Sequence, residues 1–441
     1  MNSTQSHNSE ESLKMPYFRS IRLENVRTFS EQQQINFTDE QGSISKWNLI
    51  LGDNGTGKTT ILKALAAFVN TFPAYRNNFN EELFIKRDEF KRGENLPIFR
   101  IEIDNEFDQV APLSITTLFD ESTPRVRLNG VLDPDFASTW DAPKLDMLPQ
   151  IAAYGGSRKI GSEGFSISRD HPLSNLFDET KTLANAEDWL LQTDYQDQRK
   201  GQRRMVQVKE VLKLLFRGEI SDIQIKEDKE SHGSFRVFFE TTYGWVKMHD
   251  LSLGYKTLIA WVVDFARQML QYYSDSRKPL QQPAVCLVDE IDLHLHPKFQ
   301  RNLVNFLSKT FPATQFIVTA HSPLIVQSFA DANIILLKKQ GDHVIVDQNP
   351  ENIRSYRVDQ ILTSDLFGLS SSRSPKAERL MQERRKLLLK SNMSDEEKMN
   401  VRGIEEELDH IPQGETKMER KVESALDLLA RIMEEQNDSD Q

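Results

Sequence analysis

The stretch LILGDNGTGKTTILKAL, residues 49–65, decides the fold of this chain. It contains a complete G-x-x-x-x-G-K-[ST] pattern, which begins at Gly52 and ends at Thr59. The apolar run 47–51 predicts a buried strand before the pattern, and the run 61–69 predicts a helix after it. A glycine-rich loop between a strand and a helix is the setting in which this pattern binds phosphate. A chance glycine-rich turn is disfavoured because both flanks agree.

The residue types in the loop suit an anionic ligand. Gly52, Gly55 and Gly57 permit backbone angles and close approaches that a Cβ atom would block. Successive backbone N–H groups then face one concavity, and the following helix adds the positive end of its dipole. Lys58 is expected to reach the outer phosphates, and the Thr59 hydroxyl to ligate Mg²⁺. The predicted nucleotide-binding residues of the loop are Asn54, Gly55, Thr56, Gly57, Lys58, Thr59 and Thr60.

Composition places the chain among cytoplasmic globular proteins. Its 441 residues are 38% hydrophobic, and no apolar run approaches the ~20 residues that span a bilayer. The polar residues 1–16 are predicted to be flexible, and the single cysteine, Cys286, to be a buried thiol. A net charge of −11 disfavours indiscriminate binding to duplex DNA. The local cations Arg199, Lys200, Arg203 and Arg204 are interpreted as a solvated helix end.

Alternating and helical patterns outline the rest of the chain. Residues 17–37 predict a β-hairpin, and residues 183–217 predict helix from apolar positions spaced by three and four. Further strands are predicted at 98–103, 113–118, 125–128, 148–154, 223–225, 235–240 and 245–248. The predicted divisions are a flexible segment 1–16, a lobe 17–160 with the phosphate loop, an insertion 161–250, a second lobe 251–370 and a helical region 371–441.

A second anion site is predicted where the segment HDLSLGYKTLIAWVVDFARQML, residues 249–270, enters a long apolar helix. Ser252 lies at the start of this helix, so its hydroxyl and the backbone of Gly254 lie at a positive helix end. By itself this pattern is no more than a helix cap. It gains weight from two motifs that follow it along the chain.

Two apolar strands end in polar residues that suit phosphate chemistry. The segment AVCLVDEIDLHLHP, residues 284–297, ends its strand in Asp289, a candidate Mg²⁺ ligand, and Glu290, which can polarise an attacking water. The segment TQFIVTAHSPLIV, residues 314–326, ends its strand in His321. Ligands of open α/β sheets gather at the carboxyl ends of strands, so we expect these residues near Lys58. His294 and His296 are interpreted as part of a loop rather than a metal site.

The order phosphate loop, LSLGY, CLVDE, ID and TAHS resembles the ABC-class ATPases, in the branch of SMC, RecF and overcoming-lysogenization-defect proteins. The resemblance covers about residues 17–370 and implies a two-lobed α/β ATPase with a mixed or parallel sheet, followed by a C-terminal helical region. It further implies that Lys58, Thr59 and Asp289 bind MgATP and that Glu290 is the catalytic carboxylate. His321 is similar to the histidine that senses the γ-phosphate in this class.

The same resemblance implies assembly around ATP. Ser252 and Gly254 would bind the γ-phosphate of an opposite subunit, and Asp292 would lie at the dimer seam. Two features depart from the class pattern. Leu253 and Tyr255 stand where its signature has Gly and Gln, and no clear Q-loop glutamine is present, with Gln150 or the loop 155–158 as candidates.

The wording of the motifs narrows the branch. The insertion lacks the sustained heptads of SMC arms. The chain is similar to compact ATPases of bacterial anti-phage systems in four segments, YGGSR, LANAEDWLL, DEIDLHLHP and TAHSP. Among these ATPases the resemblance is greatest to the PtuA family of Septu and next to the ATPase of PARIS. This implies a homodimer or higher homo-oligomer, a separately encoded nuclease partner, nucleic acid contacted through that partner and no membrane association. The alternatives are a RecF-like DNA-repair clamp, a transporter ATPase subunit and a scaffold that binds ATP structurally.

The final residues are predicted to be helical and to form an interface. Ser394 and Glu397 fit a capping box. An apolar stripe at spacings of four, three and four follows on a charged helix, at Val422, Leu426, Leu429 and Met433. The stripe packs either on its own core or against another chain, and the charge-rich character of the segment favours the second interpretation.

Overall fold

The computed structural model describes residues 17–70, 98–104, 113–119, 124–128, 150–161, 171–201, 203–228, 233–329, 332–348, 350, 356–390 and 394–409. The chain forms two compact units that divide between Gly368 and Leu369. The finer limits of the lobes and the insertion remain predictions.

The described ranges contain both strands and helices. In chain order, the strands are β1 (Tyr17–Glu24), β2 (Gln33–Asn36), β3 (Trp47–Gly52), β4 (Ile98–Asp104), β5 (Leu113–Phe119), β6 (Pro124–Leu128), β7 (Ile151–Tyr154), β8 (Ile220–Asp228), β9 (Ser234–Thr241), β10 (Gly244–Lys247), β11 (Ala284–Val288), β12 (Thr314–Thr319), β13 (Asn333–Gln340) and β14 (His343–Asp347). The α-helices are α1 (Lys58–Asn70), α2 (Ser174–Phe177), α3 (Ala186–Lys200), α4 (Arg204–Leu215), α5 (Leu253–Tyr272), α6 (Pro297–Thr310), α7 (Pro323–Ser328), α8 (Val358–Thr363), α9 (Pro375–Leu388) and α10 (Asp395–Asp409).

A six-stranded sheet in the order β14-β13-β3-β12-β11-β7 forms the centre of the first unit. Neighbouring strands of this sheet are parallel to each other, except that β14 is antiparallel to β13. The carboxyl ends of β3, β12, β11 and β7 therefore meet at one edge of the sheet. The predicted α/β fold with a mixed sheet is confirmed.

Alternation along the central strands explains why they are apolar throughout. Leu49 and Leu51 of β3 point into one hydrophobic core, whereas Ile50 points into another. The first core contains Trp261 of α5, and the second contains Ile61 of α1. Successive strand residues face opposite sides, so a strand covered on both faces needs apolar residues at every position.

Two further sheets of the first unit are antiparallel. One has the order β2-β1-β4-β5-β6, and the other has the order β10-β9-β8. The predicted hairpin of residues 17–37 is confirmed by the pairing of β1 with β2. The strands predicted between residues 98 and 128, at 148–154 and between 223 and 248 are also present, with ends that differ by a few residues.

The prediction of helix throughout residues 183–217 is wrong at its start and near residue 201. Helix α3 begins only after Asn185, whose side chain accepts hydrogen bonds from the first turn. It ends at Gly201, which has a φ of 64° and terminates the helix in a left-handed conformation. Helix α4 begins three residues later, where the Asp197 carboxylate accepts a 2.7 Å hydrogen bond from the backbone N–H of Met205. Apolar periodicity continued through the break because both helices bury apolar residues in the same core.

The predicted helix end with four cations is present, at the junction of α3 and α4. Arg199, Lys200 and Arg203 are exposed there. Cys286 is buried in β11, as predicted. None of the helices in the described ranges is long and apolar enough to cross a membrane.

The second unit contains the helical hairpin of α9 and α10. Ala377, Val401 and Ile404 are its buried apolar residues, and Arg384 forms a 2.7 Å ion pair with Glu405. The predicted capping box is confirmed, because Ser394 and Glu397 exchange hydrogen bonds of 3.0 and 3.2 Å. The apolar stripe predicted at Val422, Leu426, Leu429 and Met433 lies outside the described residues.

Candidate functional site

The phosphate loop is shaped by glycines that other residues could not replace. Gly57 has a φ of 98°, and a Cβ atom there would lie 2.6 Å from the Thr28 hydroxyl and 2.9 Å from the Phe29 ring. Gly52 has a φ of 146°, and a Cβ atom would lie 2.7 Å from the backbone oxygen of Leu337. The loop is therefore pressed between the β1–β2 turn and β13, with helix α1 beginning directly at its end.

Lys58 lies at the floor of this loop and is nearly buried. Its ammonium donates hydrogen bonds of 2.7 and 2.9 Å to the backbone oxygens of Gly52 and Asp53. Burial lowers the pKa of Lys58, and the carboxylates of Asp289 and Glu290 oppose that effect. The group is a cation held in place where an anionic ligand would enter.

Asp289 is held between two threonine hydroxyls at the end of β11. Thr59 donates to its Oδ2 at 2.7 Å, and Thr319 donates to its Oδ1 at 2.6 Å. These bonds satisfy a carboxylate that is only 7% exposed. The hydroxyl of Thr59 and the carboxylate of Asp289 are hard oxygen donors within contact distance of each other, which fits Mg²⁺.

Glu290 follows in a conformation that is rare for a residue with a side chain. Its φ is 48°, in the left-handed region. Its backbone N–H donates a 2.7 Å hydrogen bond to the Thr319 hydroxyl, and the next N–H, of Ile291, bonds the Thr319 backbone oxygen. This turn brings the Glu290 side chain to the cleft beside the phosphate loop.

His321 reaches the same cleft from the end of β12. Its backbone N–H donates to the carboxylate of Asp292 at 3.1 Å, so Asp292 ties the turn after β11 to the turn after β12. The other two histidines of this region have structural positions. His296 caps helix α6 through a 3.3 Å bond from the N–H of Lys298, and His294 has a φ of 60°. No group of three or more metal-binding side chains is found among the described residues.

These elements enclose an open cleft of about 360 Å³. Thr56, one of the predicted nucleotide-binding residues, is absent from its lining, since its side chain is buried and bonds the backbone oxygen of Asp53. Arg27 and Thr28 line the cleft, although no sequence motif marks them. The lining consists of Arg27, Thr28, Asn54, Gly55, Gly57, Lys58, Thr59, Thr60, Asp289, Glu290 and His321.

Ser252 and Gly254 do not line this cleft. Ser252 is the N-cap of α5, is exposed and makes no side-chain capping bond. Gly254 lies against the turn after β11, where a Cβ atom would come within 2.5 Å of the backbone oxygen of His294. Of the two residues that resemble the signature, Ser252 is thus exposed and Gly254 is packed beside that turn.

The departure at Tyr255 has a packing cause. Its ring lies 4.9 Å from the ring of Phe216 at the end of α4 and 5.1 Å from the ring of Phe299 in α6. The Phe216 and Phe299 rings are 5.7 Å apart. This aromatic cluster fixes the first turn of α5 to two other helices, which a glutamine could not do equally well.

Of the two candidates for a Q-loop, only the loop 155–158 lies near the carboxylates. Gln150 precedes β7 at the amino edge of the sheet, where its backbone oxygen accepts the N–H of Val285. Gly156, at the opposite end of β7, would place a Cβ atom 3.4 Å from Glu290 Oε2. Arg158 follows and is buried against the same turn.

Comparison with known proteins identifies two family models along the chain. The model for an AAA ATPase domain matches residues 17–210. The model for an AAA domain of the AbiEii-toxin, type IV toxin–antitoxin group matches residues 150–327. Between them they include the phosphate loop, Asp289, Glu290 and His321.

Similar proteins include the Septu protein PtuA of Bacillus mycoides (strain KBAB4). The two sequences are 25% identical over an alignment that covers 94% of this chain and 54% of the length of PtuA. The Retron Ec83 probable ATPase of Escherichia coli is 34% identical over 43% of this chain and 34% of its own. The chain thus spans about half the length of the first relative and a third of the second.

Among solved structures, the SMC head domain from Thermotoga maritima aligns with a TM-score of 0.42 and 15% identity, over 76% of this chain and 99% of its own. The sequence similarity extends through both ATPase family models and nearly the whole chain. The chain is a homologue of the Septu protein PtuA.

Proposed function

We propose that this chain binds MgATP in the cleft of the phosphate loop and hydrolyses it. One observation carries the proposal: residues from three distant segments of the sequence meet around one cleft, namely Lys58, Thr59, Asp289, Glu290 and His321. A strand end that buries a carboxylate beside a phosphate loop suits phosphoryl transfer to water. The two AAA ATPase family models support the same activity.

Each residue has a role that follows from its position. Lys58 and the loop N–H groups bind the phosphates. Thr59 and Asp289 would hold Mg²⁺, which would supply positive charge beside those phosphates. Glu290 orients a water molecule and accepts a proton from it. The oxygen of this water forms a bond to the γ-phosphorus while the bond from that phosphorus to the bridging oxygen breaks. His321 contacts the γ-phosphate.

We infer that two copies close around ATP. Ser252 and Gly254 lie outside their own cleft; Ser252 is exposed, Gly254 is half-buried, and Leu253 between them is 59% exposed. A second copy would bring these residues to the γ-phosphate of the first. ATP then favours the closed pair through contacts that exist only there, and hydrolysis removes them.

The homology to PtuA supports a role in anti-phage defence. We propose that the chain acts with a separately encoded effector, a nuclease whose activity depends on whether ATP holds the two copies together. The test of this part is to purify the tagged chain from its own host and assay co-purifying proteins for nuclease activity with and without ATP. Purification without any nuclease in both conditions would contradict it.

The Glu290→Gln variant tests the ATPase assignment. We expect ATP affinity within about threefold of the original chain and phosphate release lowered by roughly 10²-fold or more, because the base is lost while Asp289 is kept. Calorimetry and a phosphate-release assay measure the two quantities, and light scattering should show that ATP accumulates the paired form.

Two variants control this experiment. Lys58→Ala should abolish ATP binding, and Glu210→Gln, an exposed residue of α4, should leave both binding and turnover unchanged. Undiminished phosphate release by Glu290→Gln would assign the chemistry to another residue.

A further inference from the structure

The guanidinium of Arg158 connects the ends of two strands, because it reaches from the loop after β7 to Asp289, which lies 131 residues further along the chain. Its Nε donates to the backbone oxygen of Gly155 at 3.1 Å, and its Nη2 donates to the backbone oxygen of Asp289 at 2.9 Å. Nη2 also donates to the backbone oxygen of Glu290. One planar cation thus donates to three carbonyl groups at the carboxyl ends of β7 and β11.

Arg158 is 2% exposed and absent from the lining of the cleft, so it acts on the protein and not on the nucleotide. Burial lowers its pKa to about 10, while the carboxylates of Asp289, Asp292 and Glu290 favour its charged form. The side chain therefore remains a cation at neutral pH. A buried cation is costly unless it is hydrogen-bonded and compensated, and both conditions are met here.

The Glu290 backbone needs support from outside, because its φ of 48° is unfavourable for a residue with a side chain. The support consists of hydrogen bonds to the peptide groups on both sides of Glu290. Thr319 accepts the N–H of Glu290, and Arg158 binds the carbonyl oxygen. These two bonds fix the direction in which the Glu290 carboxylate leaves the backbone.

We propose that Arg158 is a positioning residue for hydrolysis, which holds the turn of Asp289 and Glu290 in the geometry that aims the Glu290 carboxylate at the attacking water. The inference rests on the proposed ATPase function. It assigns the loop after β7 the task of aligning Glu290 rather than of contacting phosphate.

Kinetics of Arg158→Met and Arg158→Lys test the inference. Met keeps the length and apolar contacts of the arginine stem but loses the cation and all three hydrogen bonds. We expect kcat to fall by about 10²-fold with Met while KM and the ATP Kd stay within about threefold, because misplacement of a reacting group costs turnover more than binding. Lys can bond some of the carbonyls and should recover part of kcat. Arg199→Met, at an exposed helix end, is the matched control and should keep kcat.

A variant in the Glu290→Gln background separates positioning from general damage. If Arg158 acts through the Glu290 carboxylate, Arg158→Met should lower the residual rate of Glu290→Gln by less than about twofold. An equal loss in both backgrounds, an unchanged kcat in Arg158→Met, or a loss expressed only in KM would each overturn the inference.

Hydrogen exchange tests the structural part without turnover. Amides of residues 290–293 should exchange at least about tenfold faster in Arg158→Met than in the original chain, and those of β9 should not change. Unchanged exchange at the turn would overturn the inference even if the original chain released no phosphate. Absence of phosphate release by the original chain, with normal ATP binding, would instead refute the proposed ATPase function.

Discussion

At the scale of single residues, the polar groups of the candidate site are buried together with hydrogen-bond partners. Asp289 could not be buried at the end of an apolar strand without the hydroxyls of Thr59 and Thr319. Thr319 has a second role, since its oxygen also accepts the N–H of Glu290. One hydroxyl therefore links the candidate metal ligand to the candidate base.

A buried histidine near β7 sets a pH dependence of stability. Burial lowers the pKa of His171 to about 4, and its Nδ1 accepts a 3.3 Å hydrogen bond from the N–H of Leu173, which requires a neutral ring nitrogen. The unfolded chain binds this proton near pH 6.5, but the folded chain does so only near pH 4. The stabilisation is thus fully present above pH 6.5 and is lost as the pH falls toward 4.

Because of His171, we expect the free energy of unfolding to fall by roughly 2 kcal/mol when the pH is lowered from about 7.5 to about 5. Chemical unfolding of the original chain and of His171→Gln at both pH values measures this. The variant should lose less stability on acidification than the original chain. Equal losses in the two proteins would show that His171 is not responsible.

At the scale of elements, contact between the start of α5 and the turn after β11 joins the predicted signature to the candidate site. Gly254 makes the close approach to His294 possible, and the cluster of Phe216, Tyr255 and Phe299 holds the helix there. Helix α5 also carries Asp264, whose carboxylate accepts a 2.9 Å hydrogen bond from Tyr154 at the end of β7. The same helix is therefore attached to both strand ends that Arg158 connects.

Gly254→Ala should separate α5 from this turn. A Cβ atom 2.5 Å from a backbone oxygen cannot be relieved by turning a side chain, so we expect the free energy of unfolding to fall by about 1–3 kcal/mol. ATP-dependent pairing should weaken as well, because the surface of Ser252 moves.

Gly403→Ala in α10 is the matched control, since nothing lies within 4 Å of its Cβ position. That change should keep or slightly raise stability. Thermal melting and light scattering with ATP compare the two variants. A Gly254→Ala protein as stable as the original would contradict the close approach.

At the scale of the whole molecule, nucleotide binding and the predicted C-terminal interface are assigned to different parts of the chain. Every residue lining the cleft precedes the division at Gly368. The predicted interface stripe, with Leu426 and Leu429, follows that division. We therefore predict that nucleotide binding is retained without the second unit.

A chain that ends after Gly368 should bind ATP with an affinity within about threefold of the full chain, since no described contact of the cleft is removed. If the stripe is an interface, light scattering should show smaller assemblies for the shortened chain. Calorimetry on a shortened chain that still melts cooperatively is the measurement. Loss of ATP binding in such a folded protein would place part of the site beyond residue 368.

The sequence by itself determined the features that depend on local chemistry. The phosphate loop could be predicted because its glycines, Lys58 and Thr59 occupy fixed positions between a strand and a helix. Strands such as 47–51 and 284–288 could be predicted because a strand buried on both faces is apolar throughout. The convergence of Lys58, Asp289 and His321 followed from the rule that parallel strands bring their carboxyl ends to one edge.

Only the tertiary structure decided the contacts made between distant segments. Thr319 and Arg158 lie in the motifs TAHS and YGGSR, but neither motif assigns them a partner. A strand-end threonine and a loop arginine occur widely, and their partners lie 30 and 131 residues away. Arg27 was hidden in an alternating hairpin whose turn folds onto the phosphate loop. The break at Gly201 was masked by apolar spacing that serves two helices on one core. Sequence patterns record which face of an element is buried, but not which backbone oxygen of another strand lies against a given side chain.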